Sequence, residues 1–329
     1  MADASGSATA SAAVQALRPR VTVAIPSYNR AEGLARTLAS VRGQTFTDLE
    51  ILIADNASTD DTPQTCAAAA AADPRVRVIR QDTNTGLTAN FNTVLSEARG
   101  DLVMVVADDD WLDLGYVESC VSVLDRNPGH VLVCGTAVYH RGDEKRGGGV
   151  DVSCEHDDAE QRLRWWFANV ADNSAIYGLI RREALHAALP MQNKLAGDWL
   201  LIGRILMAGK LRTLPETRVH RSVGGTSAGY AKTARSMGLT RAEERRPHLA
   251  IARFIREDVG RDAPAYATLG DRRRATGRAC GRAVLRARPL DVAAELAGPL
   301  LRLSGVRQLE SGARSVVRRL RGGERPYLP

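Results

Sequence analysis

LVMVVADDDWL, running from Leu102 to Leu112, decides how the rest of the chain is read. Its apolar run, Leu102 to Ala107, stops at three consecutive carboxylates, Asp108, Asp109 and Asp110. A short unbroken apolar segment is the pattern of a strand buried on both faces of a parallel sheet. Open α/β sheets gather their ligands beyond the carboxyl ends of such strands. Three adjacent acids repel one another, and a divalent cation carrying phosphate oxygens is the partner that such hard ligands suit. A solvated acidic turn capping a helix that starts near Leu114 is the competing reading of the same residues.

Upstream, the punctuation repeats. Residues 21–25 (VTVAI) form a β-branched run that ends at Pro26-Ser27-Tyr28-Asn29-Arg30. Residues 49–54 (LEILIA) end at Asp55 and a Ser/Thr/Asp-rich loop, and residues 76–79 lead to Asn84-Thr85-Gly86. Helical spacing fills the gaps. Leu34, Leu38 and Val41 share one face of 31–42, Asp60 or Asp61 caps 62–72, and a third helix runs through Phe91 and Leu95 to Ala98. Strands and helices alternating at this interval predict an α/β fold with a doubly wound, mainly parallel sheet.

Downstream, 116–124 suits a helix and 131–139 a strand. The Gly-rich, charged stretch 141–151 predicts a mobile loop, and 160–167 a helix carrying Trp165 and Trp166, one of them in the core. Residues 178–180 return to the sheet, 183–189 form a helix stopped by Pro190, 199–207 a strongly apolar helix after Gly197-Asp198, and 210–214 a strand. Beyond Arg241 the pattern is helical and rich in arginine. The expected organisation is a disordered leader over 1–19, an α/β domain over 20–230, and a helical extension over 231–329.

Composition narrows the class. Of 329 residues, 44% are hydrophobic and 25% charged, as in globular proteins. The first 19 residues have no basic start and no apolar core, unlike a signal peptide. No apolar run approaches the roughly 18 to 20 residues needed to span a bilayer. The 5 cysteines are scattered without a CxxC pair, which predicts reduced thiols in a cytoplasmic protein. The net charge of +7 belongs to the tail: residues 271–329 hold 14 Arg against 5 acids, so the remainder is slightly acidic. Basic amphipathic segments there fit peripheral contact with anionic membrane at the inner face. A helical appendage or dimer contact with a solvated Arg face fits equally. Nucleic acid is not an expected partner, because the tail lacks interleaved aromatics for base stacking.

Taken in order, VTVAIPSYNR at Val21, ILIADNASTDDT at Ile51, NTG at Asn84, VADDDW at Val106, GDW at Gly197 and HRSVGGTS at His220 resemble the family 2 glycosyltransferases, which have the GT-A fold. The resemblance covers roughly residues 21–227. It implies that Pro26, Ser27, Tyr28 and Asp55, each exposed at a strand's carboxyl end, hold the nucleobase and ribose of a nucleotide-diphosphate sugar, with Arg30 as a further donor-binding residue. It also places Asn84 and Gly86 against the nucleotide, the glycine because a side chain would obstruct the approach.

The acidic block fits two registers of the family's Asp-x-Asp motif. In one, Asp108 and Asp110 are the motif acids and Asp110 binds the metal. In the other, Ala107 stands where an acid is expected, Asp108 faces the ribose and Asp109 carries Mn²⁺ or Mg²⁺. His220 is implied as a further metal or diphosphate ligand, with Arg221 and Gly224–Ser227 as a flexible lid. Where relatives carry Glu-Asp this chain has Gly-Asp, so Asp198 alone is carried over as general base for the acceptor, whose simpler role is a helix N-cap. The resemblance thus implies an inverting, metal-assisted transferase acting on a glycan, a lipid-linked sugar or a small natural product. A nucleotidyltransferase would also use the acids, but normally carries a Gly-rich basic loop after the first strand, and PSYNR contains no glycine. A non-catalytic nucleotide-sugar scaffold would have no need for Asp198.

Overall fold

The structure, a computed structural model, describes residues 18–142, 144–170, 173–222 and 230–303. Its centre is a sheet that begins as the sequence predicts. Strand β1 (Val21–Ser27) is followed by helix α1 (Ala31–Arg42), β2 (Leu49–Asp55) by α2 (Thr62–Ala72), and β3 (Val76–Arg80) by α3 (Leu87–Ser96). Then come β4 (Leu102–Val105), the two-residue β5 (Trp111–Leu112) and α4 (Tyr116–Arg126). β1 pairs parallel with both β2 and β4, and β2 pairs parallel with β3. Every residue of β1, β2 and β4 is buried, so the continuous apolar runs reflect strands covered on both faces.

The second half is mixed. β6 (His130–Arg141) is followed by β7 (Glu144–Gly148), α5 (Ala159–Asn169), β8 (Leu179–Arg181), α6 (Arg182–Ala188), α7 (Gly197–Ala208) and β9 (Lys210–Ser222). Across the sheet the order is β3-β2-β1-β4-β8-β6-β9-β5, with β7 pairing on β6. β8 runs antiparallel to both β4 and β6, while β9 is parallel to β6 and antiparallel to β5. β7 corrects the expected loop over 141–151, because it pairs antiparallel with the end of β6. Its Glu-Lys-Arg-Gly-Gly sequence carries no apolar alternation, and backbone pairing to the free edge of β6 makes the strand instead.

Helices α8 (Tyr230–Ser236), α9 (Arg241–Arg245), α10 (Pro247–Gly260), α11 (Arg273–Ala287) and α12 (Pro289–Leu303) follow the sheet. They pack onto this framework through buried apolar residues such as Ile251, Phe254, Ile255, Val259 and Val284, and through buried polar groups. Buried Asp258 of α10 pairs with buried Arg204 of α7. It also accepts hydrogen bonds from Tyr266 Oη (2.7 Å) and Gln192 Nε2 (2.7 Å). Arg288 reaches back to donate to the Val170 carbonyl, with its guanidinium 4.8 Å above the Trp199 ring. No helix among the described residues is long and apolar enough to cross a membrane. The expected leader lies outside the described residues save for its last two positions, as do the Gly224–Ser227 lid and the tail beyond 303.

Candidate active site

The loops after β1 and β2 are stitched to each other, which is why their sequences form one pattern. Asn29, at φ 51°, accepts from the Thr59 N–H (2.8 Å), and its own N–H donates to Ser58 Oγ (2.9 Å). Arg30 N–H donates to Thr62 Oγ1 (2.9 Å), and Asp60 accepts from both Ala31 N–H and Thr62 N–H. Asp60, not Asp61, therefore supplies the side-chain bond at the start of α2.

The same economy corrects the expected exposure of the donor residues. Pro26 is buried within β1 and Ser27 and Asp55 are each 1% exposed, whereas Tyr28, at 42%, and the Arg30 side chain face solvent. Asp55 accepts from Ser58 N–H (3.0 Å) and pairs with the half-exposed Arg80, its neighbour across the β2–β3 register. Arg80, which the sequence reading passed over, thus presents its guanidinium where Asp55 was expected to present a carboxylate. Asn84 accepts from Gly86 N–H (2.9 Å) and Asn56 Nδ2 (2.9 Å), which makes it a loop-builder. Gly86 adopts φ 88°, and a Cβ there would touch nothing within 4 Å. Its glycine is required by a backbone conformation unfavourable for L side chains rather than by a close neighbour.

The acidic loop is held from both sides. Thr37 Oγ1 of α1 donates to the Asp110 carbonyl (2.7 Å), and Ser222 Oγ at the end of β9 donates to the Asp109 carbonyl (2.8 Å). The three carboxylates differ in environment. Asp108 accepts from Ser27 Oγ (2.8 Å) and Tyr28 N–H (3.2 Å), yet burial lifts its pKa to about 6. Asp110, 2% exposed, accepts from Ser222 N–H (2.9 Å), and burial, opposed by Arg221 at 3.7 Å, pushes its pKa up to about 7. Asp109 stays partly exposed, with the Arg30 guanidinium 3.7 Å away.

His220 gives one ring nitrogen to Asp113 (2.9 Å) and the other to His140 (3.0 Å), and its ring stacks on Trp111 at 5.2 Å. Asp109, Asp110 and His220, the expected metal set, therefore do not converge. Among the described residues no group of three or more His, Cys, Asp or Glu side chains could hold a metal ion. Asp110 is buried and His220 bonds to Asp113 and His140, while Asp109 is partly exposed. One carboxylate fits a hard cation that arrives on phosphate oxygens, since Mg²⁺ commonly takes one or two protein carboxylates and completes its shell with substrate and water.

These buried acids have a measurable cost. The unfolded chain releases their protons near pH 4, whereas the folded chain holds them to about 6 and about 7. The folded state therefore binds more protons across that window, and stability must fall as pH rises through it. The melting temperature of metal-free protein should drop between pH 5 and pH 8, and Asp110→Asn should flatten the drop. An identical slope in the variant would remove Asp110 as a cause.

On the other side of the site, the geometry corrects the N-cap alternative for Asp198. Helix α7 begins at Gly197 with Ala196 as its N-cap, so Asp198 sits inside the first turn. Its Oδ1 accepts the Trp199 N–H (2.9 Å) and its Oδ2 accepts from Asn173 Nδ2. Burial raises its pKa, which the Trp199 N–H, the Arg221 charge and the Asn173 amide pull back. Arg221 lies over the Tyr177 ring at 4.7 Å and acts on both Asp110 and Asp198, joining the two halves of the site. Asn173 and Tyr177 carry no motif a single sequence could reveal. Of the tryptophan pair, Trp166 is the core residue, its Nε1–H donating to the Trp199 carbonyl (2.9 Å).

Known proteins resemble this chain in sequence and in fold. The family described as Glycosyl transferase family 2 matches residues 22–189. An uncharacterised protein of Mycobacterium tuberculosis is 34% identical over 197 residues, 58% of this chain and 55% of the relative, so the chain matches about half the length of that relative. Among solved structures, S. aureus TarS in complex with UDP-GlcNAc superposes with a TM-score of 0.55 at 16% identity, covering 90% of this chain and 92% of that one. The mannosyltransferase PcManGT of Pyrobaculum calidifontis, in complex with GDP-Man and Mn²⁺, gives 0.52 at 20% identity, covering 92% and 87%. At these identities the structural likeness is one of fold.

Proposed function

Because the chain belongs to glycosyl transferase family 2, we propose that it moves a sugar from a nucleotide-diphosphate donor to an acceptor hydroxyl with inversion at the anomeric carbon. One observation carries this reading. The acidic loop after β4 and the buried carboxylate of Asp198 belong to opposite halves of the sheet, yet Arg221, 3.7 Å from Asp110, also packs on Tyr177 of the segment whose Asn173 bonds to Asp198. A donor on the first half would put its anomeric carbon toward an acceptor on the second. TarS with UDP-GlcNAc and PcManGT with GDP-Man are neighbours of this fold that hold such donors.

Each residue then has a physical task. Ser27 and the Tyr28 N–H fix Asp108 toward the ribose, and Arg80, anchored by Asp55, fronts the nucleobase. Asp109 would hold Mn²⁺ or Mg²⁺ together with the diphosphate oxygens, and the cation supplies neutralisation of charge growing on the leaving group. Asp198, oriented by Asn173 and the Trp199 N–H, takes the proton of the attacking hydroxyl. Its raised pKa makes it a stronger base than an exposed carboxylate. The acceptor class is a glycan, a lipid-linked sugar or a small natural product.

The metal reading is tested by melting the protein with UDP- and GDP-sugars in the presence and absence of Mn²⁺. A donor should raise the melting temperature more with metal than without. Asp109→Asn should weaken the metal-dependent part about tenfold or more while leaving the metal-free fold intact. Near-normal donor stabilisation or turnover by that variant, in chelator-treated buffer with no metal added, would overturn the assignment.

A further inference from the structure

Helix α11 carries five arginines, Arg273, Arg274, Arg278, Arg282 and Arg286, and no acid. Arg273 pairs with Asp262. The other four recur every fourth residue, and all are exposed. A four-residue step advances a helix by about 6 Å and drifts about 40° around it, so the four guanidinium groups form one ridge roughly 18 Å long. Other arginines nearby have carboxylate partners, Arg272 with Glu160 and Arg261 with Asp258. None of the four ridge residues forms an ion pair in the described structure, although i,i+4 acids would have been a simple way to neutralise them.

The ridge is held rigidly outward. On the opposite face Thr276, Gly277, Cys280, Gly281 and Val284 are buried against α10 and α5. Gly277 and Gly281 let the helices touch: a Cβ at either would lie 2.7 Å from a backbone carbonyl of α10, Arg256 or Ala252. Thr276 and Arg272 both bond to Glu160 of α5. The next helix, α12, is anchored by Glu295, which accepts from the His248 and Leu249 N–H groups, and it leaves Leu290 and Leu296 at 42% and 54% exposure. Beyond it, the sequence from 304 to 329 adds six arginines against two glutamates.

We propose that the Arg274–Arg278–Arg282–Arg286 ridge of α11 is a docking surface for an anionic phospholipid bilayer. Unpaired guanidinium groups on a firmly packed helix meet headgroup phosphates without first breaking ion pairs, and the exposed leucines of the following helix suit a surface that is apolar beneath its charge. The ridge has no aromatic side chain for stacking on bases, which sets it apart from a single-stranded nucleic-acid platform.

The test uses the full chain and sedimentation with phosphatidylcholine vesicles, with and without phosphatidylglycerol. The protein should partition onto the anionic vesicles only, and salt should weaken the binding. A quadruple Arg274→Gln, Arg278→Gln, Arg282→Gln, Arg286→Gln variant should bind at least about tenfold more weakly, since each cation near such a surface contributes about a factor of five. Its melting temperature and its donor-induced stabilisation should match those of the parent, so failure here is separable from failure of the donor reading. Undiminished vesicle binding by the variant would overturn the proposal, as would equal binding to neutral vesicles or a preference for an oligonucleotide over anionic lipid.

Discussion

An Asp198→Asn variant should turn over about 10²-fold or more slowly than the parent while binding nucleotide sugar with nearly unchanged affinity. A general base acts on the acceptor in the transition state and contributes little to the donor's ground-state binding. Its loss typically costs 10²–10⁴-fold, about 3 to 5 kcal/mol of barrier. The substitution is nearly isosteric, and an Asn carbonyl can still accept the Trp199 N–H that the carboxylate accepts now. Ala196, not Asp198, occupies the N-cap position, so no capping bond is lost. The fold should therefore survive, and removal of an ion whose pKa burial raises should not lower the melting temperature. Steady-state rates with an identified acceptor, beside calorimetric donor affinity, separate the two effects. An Asn variant that retains full turnover would end the base assignment.

The second large effect concerns stability. Asp258→Ala should cost about 3 to 5 kcal/mol, because it strands the buried guanidinium of Arg204 and unpairs the Tyr266 hydroxyl and the Gln192 amide together. Denaturant unfolding measures it. A loss below about 1 kcal/mol would show that the network contributes no more than a surface pair. The charge distribution alone makes a cut near residue 271 look harmless, removing a basic tail and sparing the α/β part. The structure corrects that expectation. Such a cut removes buried Cys280 and Val284 of α11, the Thr276 bond to Glu160, and the Arg288 cover over Trp199.

The contrast shows what a sequence makes visible. The N-terminal half was legible because its signals are local: unbroken apolar runs give strands buried on both faces, and the polar residues after them bond to one another across adjacent strand ends. Asp108, Asp109 and Asp110 were legible as a cluster but not as individuals. Their differences come from Ser27, Ser222 and Arg221, which lie between 81 and 112 residues away along the chain in the two bonded cases. Arg80 was missed because only the β2–β3 register brings it to Asp55. β7 was missed because its residues have little strand preference and take their conformation from β6. The Asp113 and His140 partners of His220 come from distant parts of the chain, and only the fold supplies them.

The Arg204–Asp258 pair also sets the unit of exchange for engineering. On the function proposed above, a new acceptor preference would be grafted by replacing α7 and its surroundings, yet α7 is gripped from α10 at Arg204 and covered by Arg288 at Trp199. A chimera joined near residue 230 would inherit one charge of a buried pair without the other. Junctions between β4 and α4, with everything through residue 288 taken from one parent, keep the pair and the cover in register. Recombination libraries built on this chain should therefore yield soluble members chiefly when both crossover points fall outside that block.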